Sequence, residues 1–100
     1  MQRALPVGYA GGDARARRMG AAAGWAYEDG ALRRQFSFPG FADAMAFVNR
    51  VAELAERANH HPDITINYNR VGIALSTHDA GGVAEKDVDL ARQIAAAERS

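Results

Sequence analysis

The three histidines of the chain, His60, His61 and His78, all lie between residues 60 and 78. Histidine gains and loses a proton near neutral pH more readily than any other side chain, so the group suggests acid–base chemistry or metal binding. Two carboxylates are close in sequence. Glu56 lies one helical turn before His60, where we expect it to reach and orient the imidazole, and Asp87 follows the loop that carries His78.

Three interpretations of the histidines are open. In the first, His60 and His61 only end a helix, where cationic side chains favour the helix dipole, and His78 is a loop residue. The second is a metal site, but adjacent histidines on a helix diverge, and the usual i,i+4 or i,i+2 ligand spacing is missing. The third is metal-free general acid–base catalysis. The sequence has no nucleophile elbow, P-loop, dinucleotide fingerprint or cysteine, so proton transfer is the favoured chemistry and no metal is expected.

A long amphipathic helix is predicted directly before the first two histidines. Apolar side chains recur at helical spacing over residues 41–58. Because Pro62 disfavours a helical conformation in the residue before it, the helix should end around Asn59 or His60. His60 and His61 then lie at the end of an element, where side chains can leave the core.

Two shorter helices are predicted nearer the ends of the chain. One begins at Asp13, a suitable N-cap, and runs to about Ala23. The other runs from about Glu85 to Glu98. Ala84 occupies the N-cap position of this last helix, where Ser or Thr would be usual, and the missing cap should cost about 1 kcal/mol.

Four strand-like runs are predicted to form two hairpins, because apolar residues alternate along them. The runs are residues 24–28, 32–38, 64–68 and 71–77. Asp29-Gly30 suits the tight turn of the first hairpin. Asn69-Arg70 is expected to join the strands of the second, which places Tyr68 in a strand on the same face as Ile64 and Ile66.

The expected fold is α+β, a two-layer sandwich in the order α-β-β-α-β-β-α. A four-stranded antiparallel sheet should carry the helices on one face, since short hairpin loops require antiparallel pairing. One hundred residues make a single domain, residues 1–100, and the Gly- and Pro-containing residues 1–12 are expected to be loose. His78 then lies just past the end of the fourth strand.

Composition and charge exclude several classes of function. The chain is 48% hydrophobic and 24% charged, as an ordinary globular protein is. Its 12 basic and 12 acidic residues cancel, so neither a nucleic acid nor a membrane surface is an expected partner. The lack of cysteine excludes a disulfide framework and thiolate zinc sites. No apolar run is long enough for a signal peptide or a membrane span. We expect a cytoplasmic protein.

The residues around the histidines resemble a known family signature. Glu56-x-x-x-His60-His61-Pro62 is followed by five residues and Tyr68, by nine more and His78, and by eight more and Asp87. This pattern looks like that of the pterin-4a-carbinolamine dehydratase family. The runs Phe36-Ser37-Phe38 and Ser76-Thr77-His78-Asp79-Ala80-Gly81-Gly82 support the likeness, which covers roughly residues 24–95.

The resemblance implies a hydro-lyase, a 4a-hydroxytetrahydrobiopterin dehydratase, that forms quinonoid dihydropterin and water without a metal or an organic cofactor. The reaction recycles the pterin of aromatic amino acid hydroxylases, which implies a functional link to a phenylalanine hydroxylase. His60, His61 and His78 are the implied catalytic residues: His60 and His78 exchange protons, in either order, and His61 binds and polarises the pterin. The implied substrate-binding or supporting residues are Glu56, Pro62, Thr77 and Asp87.

The resemblance also leaves alternatives and an assembly to consider. Some members of the family are dimerisation partners of a transcription factor, so a protein-binding role is the alternative from another class, and a protein that only binds pterin is a third. A sheet with uncovered edges favours pairing between copies, and relatives form dimers, or tetramers built from dimers. We therefore expect a homodimer or homotetramer. The sequence does not identify which pterin is the substrate.

Overall fold

A computed structural model of the chain describes residues 24–77 and 81–98. Within these residues the order of elements is the predicted one, β-β-α-β-β-α. The strands are β1 Ala26–Glu28, β2 Ala31–Ser37, β3 Asp63–Asn67 and β4 Arg70–Leu75, and the helices are α1 Phe41–Ala58 and α2 Glu85–Glu98. The helix predicted for residues 13–23 and the loose residues 1–12 lie outside the described residues, as does His78.

The four strands form one antiparallel sheet in the order β1-β2-β4-β3. β2 and β4 are the central pair, with Leu32 opposite Leu75 and Phe36 opposite Val71. All four of these side chains are buried, because side chains at every second position of a strand point to the same face. The expected α+β sheet with helices on one face is confirmed.

Left-handed residues close both hairpins. Asp29 and Gly30 have φ angles of 53° and 77°, which suits the predicted tight turn between β1 and β2. The second turn lies one residue earlier than predicted: Tyr68 has φ 54° and, with Asn69, forms the turn between β3 and β4. Tyr68 is therefore not a strand residue beside Ile66, and its side chain is exposed.

The core lies between the sheet and the two helices. Phe47 of α1 is fully buried, and its ring centroid lies 4.7 Å from that of Phe36 and 5.0 Å from that of Phe38. α2 adds Leu90 and Ile94, which are also buried. Burial of this apolar surface holds the helices against the sheet. The end of α1 and the start of α2 are thereby placed relative to the sheet.

The outer strands of the described sheet are β1 and β3. Side chains on the face away from the helices alternate with the buried ones, and Arg33, Gln35 and Thr65 are exposed there. No helix in the described part of the chain is long and apolar enough to cross a membrane. The expected cytoplasmic location stays a prediction.

Truncation of the central aromatic residue should strongly destabilise this fold. We expect Phe47→Ala to lower the free energy of unfolding by about 3–5 kcal/mol, because it removes two aromatic contacts and leaves a cavity. Phe41→Ala is the matched control on the same helix, since that ring is 51% exposed, and it should cost about 1 kcal/mol or less. Urea unfolding at one protein concentration measures both. Equal losses for the two variants would contradict this account of the core.

Candidate active site

The end of α1 decides where the paired histidines point. Asn59 adopts the left-handed conformation, with φ 51° and ψ 44°, which asparagine tolerates better than most residues. Its backbone N–H donates to Glu56 O over 3.1 Å, and the N–H of His60 donates to Ala55 O over 3.0 Å. This pair of hydrogen bonds is a Schellman motif. It turns the chain sharply, so His60 and His61 do not continue the helical path.

His60 turns inward at this point. Its side chain is only 11% exposed, and Nε2 of the imidazole is hydrogen-bonded to Oδ1 of Asp87. The Asp87 side chain is fully buried. The contact joins the segment just past the end of α1 to the first turn of α2, which are distant in sequence but adjacent in the folded chain.

Asp87 also caps the N-terminus of α2. The backbone N–H of Ala84 donates to Oδ2 of Asp87 over 2.9 Å, which is the half of a capping box that the third helical residue supplies. The negative charge lies in the first turn, where it complements the helix dipole. The predicted deficit of an alanine N-cap is therefore partly made up by Asp87.

A third donor reaches the same carboxylate from just past the end of β4. The hydroxyl of Thr77 donates to Oδ2 of Asp87 over 2.6 Å. A buried carboxylate is stable only where donors replace the water that it has lost, and Asp87 has partners from His60, Thr77 and Ala84. One side chain thus connects the end of α1, the end of β4 and the start of α2.

Thr77 also pairs with Gly82, on the other side of residues 78–81. The Thr77 N–H donates to Gly82 O over 2.6 Å, and the Gly82 N–H donates to Thr77 O over 3.2 Å. These two hydrogen bonds form an antiparallel bridge between Thr77 and Gly82. His78 itself lies outside the described residues, so its proximity to the other histidines stays a prediction.

The predicted contact between Glu56 and His60 is wrong. Oε2 of Glu56 instead lies 2.5 Å from Nε2 of His61, and both side chains are largely exposed, at 76% and 59%. Glu56 does not reach His60 because the left-handed Asn59 ends the helical repeat before it. Glu56 therefore orients the outer histidine, and Asp87 contacts the inner one. Pro62 follows the pair at a half-buried position and leads into β3.

Two further features bear on the location and nature of the site. A concavity of about 520 Å³ lies on the sheet face opposite the helices, where its lining includes Glu28, Arg33 and Thr65. None of the predicted site residues that the structure describes lines it, so the concavity is not assigned to the histidine chemistry. Among residues 24–77 and 81–98, no three His, Cys, Asp or Glu side chains are grouped closely enough to hold a metal ion.

Comparison with known proteins identifies the family. The model of the pterin 4 alpha carbinolamine dehydratase family matches residues 12–97. The chain belongs to this family, as its histidine motif indicated.

Individual relatives agree with this assignment. A protein of Thermomicrobium roseum named "Putative pterin-4-alpha-carbinolamine dehydratase" is 61% identical over 72 residues, which are 72% of this chain and 77% of the relative. One of the same name from Acidobacterium capsulatum is 53% identical over 79 residues, or 79% and 86% of the two chains.

Two solved structures share the fold. A crystal structure described as a transcriptional coactivator/pterin dehydratase from Brucella melitensis matches with a TM-score of 0.81 and 33% identity, over 96% of this chain and 99% of that one. A pterin dehydratase-like protein described as a RuBisCO assembly factor in the alpha-carboxysome matches with a TM-score of 0.68, over 80% and 95% of the chains. At 24% identity, the second likeness concerns the fold alone.

Loss of the Thr77 hydroxyl should weaken the carboxylate cluster. We expect Thr77→Val to lower the free energy of unfolding by about 1.5–3 kcal/mol, the usual worth of a hydrogen bond to a charged group. Thr77→Ser is the matched control: it keeps the hydroxyl and should lose clearly less. Urea unfolding of both variants at one protein concentration checks this. A valine variant as stable as the serine variant would show that the bond to Asp87 contributes nothing.

Proposed function

We propose that this protein dehydrates 4a-hydroxytetrahydropterins, such as 4a-hydroxytetrahydrobiopterin, to quinonoid dihydropterins by histidine acid–base catalysis. The observation that carries the proposal is the His60–Asp87 pair, a largely buried imidazole held by a fully buried carboxylate. Membership of the dehydratase family supports the reaction type. The same reaction would recycle the pterin of aromatic amino acid hydroxylases, with a phenylalanine hydroxylase as the expected functional partner.

The reaction needs only proton transfer. The C4a–O bond breaks, the leaving hydroxyl takes up a proton and departs as water, and N5 of the pterin loses a proton as the N5–C4a double bond forms. No oxidant, reductant or group carrier enters this balance. An imidazole can serve either step, because it accepts a proton at one nitrogen and returns it in the same turnover. No cofactor is therefore proposed.

The three histidines are proposed to have different roles in the reaction. His60, oriented by Asp87, and His78 exchange protons with the leaving 4a-hydroxyl and with N5, in either assignment. His61 lies at the exposed end of α1 beside Glu56, where it can bind and polarise the pterin ring. Thr77 supports the arrangement through its hydrogen bond to Asp87.

A direct assay tests the proposal. The decay of 4a-hydroxytetrahydropterin, generated in the assay and followed by stopped-flow absorbance, should be faster with the protein than without it. Addition of EDTA should leave the rate unchanged, since proton transfer by histidine needs no metal. A decay rate equal to the uncatalysed one would refute the proposed activity. An activity lost with EDTA and restored by zinc would refute the metal-free mechanism.

A second candidate function is protein binding. The Brucella melitensis protein is described as a transcriptional coactivator as well as a pterin dehydratase, and a coactivator role needs a docking surface rather than histidine chemistry. If this chain serves as such a partner, its complexes with other proteins should survive removal of the histidines. Dehydratase activity, in contrast, should be lost when the histidines are removed.

Removal of a single histidine should affect turnover far more than stability. We expect His78→Ala to lower kcat by about 10²-fold, the lower end of the range for general acid–base catalysis. Asn69→Ala is a control outside the histidine group, and it should keep wild-type kcat. Steady-state kinetics on both variants, with unfolding curves to show that they fold, checks this. Wild-type turnover by the His78→Ala protein would remove His78 from the mechanism.

The chain is proposed to assemble as a homodimer or a homotetramer. β3 is an outer strand of the described sheet, with five residues and β4 as its partner strand there, and no proline lies in it to prevent pairing with a second copy. The longer β3 is the favoured edge. Light scattering at micromolar concentration should give at least twice the 10.7 kDa of one chain, and Ile66→Lys should weaken association by placing a charge on β3. A wild-type mass near 10.7 kDa would defeat the prediction.

A further inference from the structure

The two ring nitrogens of His60 have different surroundings. Nε2 is bonded to the buried Asp87. Nδ1 has no hydrogen-bond partner within residues 24–77 and 81–98. Since the imidazole is the only part of His60 that can carry a proton to and from a substrate, the question is which of the two nitrogens does so.

The other contacts of Asp87 favour a proton on Nε2. Its Oδ2 accepts from the Thr77 hydroxyl and from the Ala84 N–H, which leaves Oδ1 for the imidazole. An ionised carboxylate has acceptors only, so the proton in this contact is carried by Nε2 of His60. The bond made by one ring nitrogen fixes which tautomer a histidine adopts. In the neutral ring, Nδ1 then holds the lone pair.

We propose, on the basis of the function proposed above, that Asp87 is a positioning residue that holds His60 in the Nε2–H tautomer, so that His60 exchanges its proton with the pterin at Nδ1. The assignment holds for either direction of transfer. A neutral ring accepts at Nδ1, and a protonated ring donates from Nδ1, while Nε2–H stays on Asp87. Because Asp87 is fully buried, it acts through His60 and does not touch the substrate.

Asp87→Asn gives a sharp test, since the direction of its effect follows from the contacts. The backbone N–H of Ala84 can only donate, so the amide oxygen of the new side chain should take the position of Oδ2. Its NH2 group then faces Nε2 of His60 and can only donate to it. We expect the ring to change to the Nδ1–H tautomer, which removes the lone pair from the substrate side.

Two readouts on the full chain follow this change. Long-range 1H–15N correlation spectra, recorded where His60 is neutral, should show Nε2 protonated in the wild type and Nδ1 protonated in Asp87→Asn. Steady-state kinetics should show kcat lower by at least about 10²-fold in the variant, with KM much less affected because Asp87 does not contact the pterin. Asp89→Asn is the matched control: Asp89 is an exposed residue of the same helix that pairs with Arg92 over 2.8 Å, and its replacement should change neither readout.

The outcomes separate this inference from the proposed function. A neutral wild-type His60 protonated at Nδ1 would overturn the inference, whatever the activity, and it would do so even if Asp87→Asn failed to fold. Wild-type kcat in a folded Asp87→Asn protein would overturn it as well. A wild type that does not speed pterin dehydration would refute the proposed function and, with it, the role of Nδ1 in turnover, while the spectra still decide the tautomer.

Discussion

A carboxylate loses its hydration when it is buried, and donors must replace the lost water if the fold is to be stable. In this protein Asp87 has no exposed surface, and its three partners come from three separate parts of the chain. His60 follows α1, Thr77 follows β4 and Ala84 precedes α2. The requirement to satisfy one buried charge therefore fixes the relative positions of both helices and the sheet at the place where the chemistry is proposed.

The left-handed residue Asn59 provides the other half of the arrangement. A continuous helix would carry His60 and His61 around the helix surface and away from one another. The Schellman motif at Asn59 instead releases the chain, so that His60 turns inward to Asp87 and His61 stays beside Glu56. The two imidazoles thus meet different environments. The His60–Asp87 pair is largely buried, whereas the His61–Glu56 pair is well exposed to solvent. Ion pairing in the exposed pair contributes little to stability.

The periodic features of the sequence predicted most of the described fold. The apolar repeats placed α1 and α2 to within about a residue, and Asp29-Gly30 marked the first hairpin, because these signals depend on local geometry alone. Contacts between distant segments were harder to predict. The partner of His60 was assigned to Glu56 by helical spacing, which ceased to apply at Asn59, and nothing local shows that Asp87 is buried. Its position three residues after Ala84 was the one available sign that it could cap the helix.

The two oxygens of Asp87 have different roles, one in the fold and one in the proposed chemistry. Oδ2 is bonded to Thr77 and Ala84, which belong to the framework, and Oδ1 is bonded to His60, whose ring is proposed to react. Replacement of His60 would leave the framework bonds in place and remove only the partner of Oδ1, so it should destabilise the fold less than loss of the carboxylate, which removes both sets of bonds. A protein with this fold can therefore keep its architecture after losing its chemistry, so the proposed dehydration depends on the histidines and Asp87 rather than on the fold.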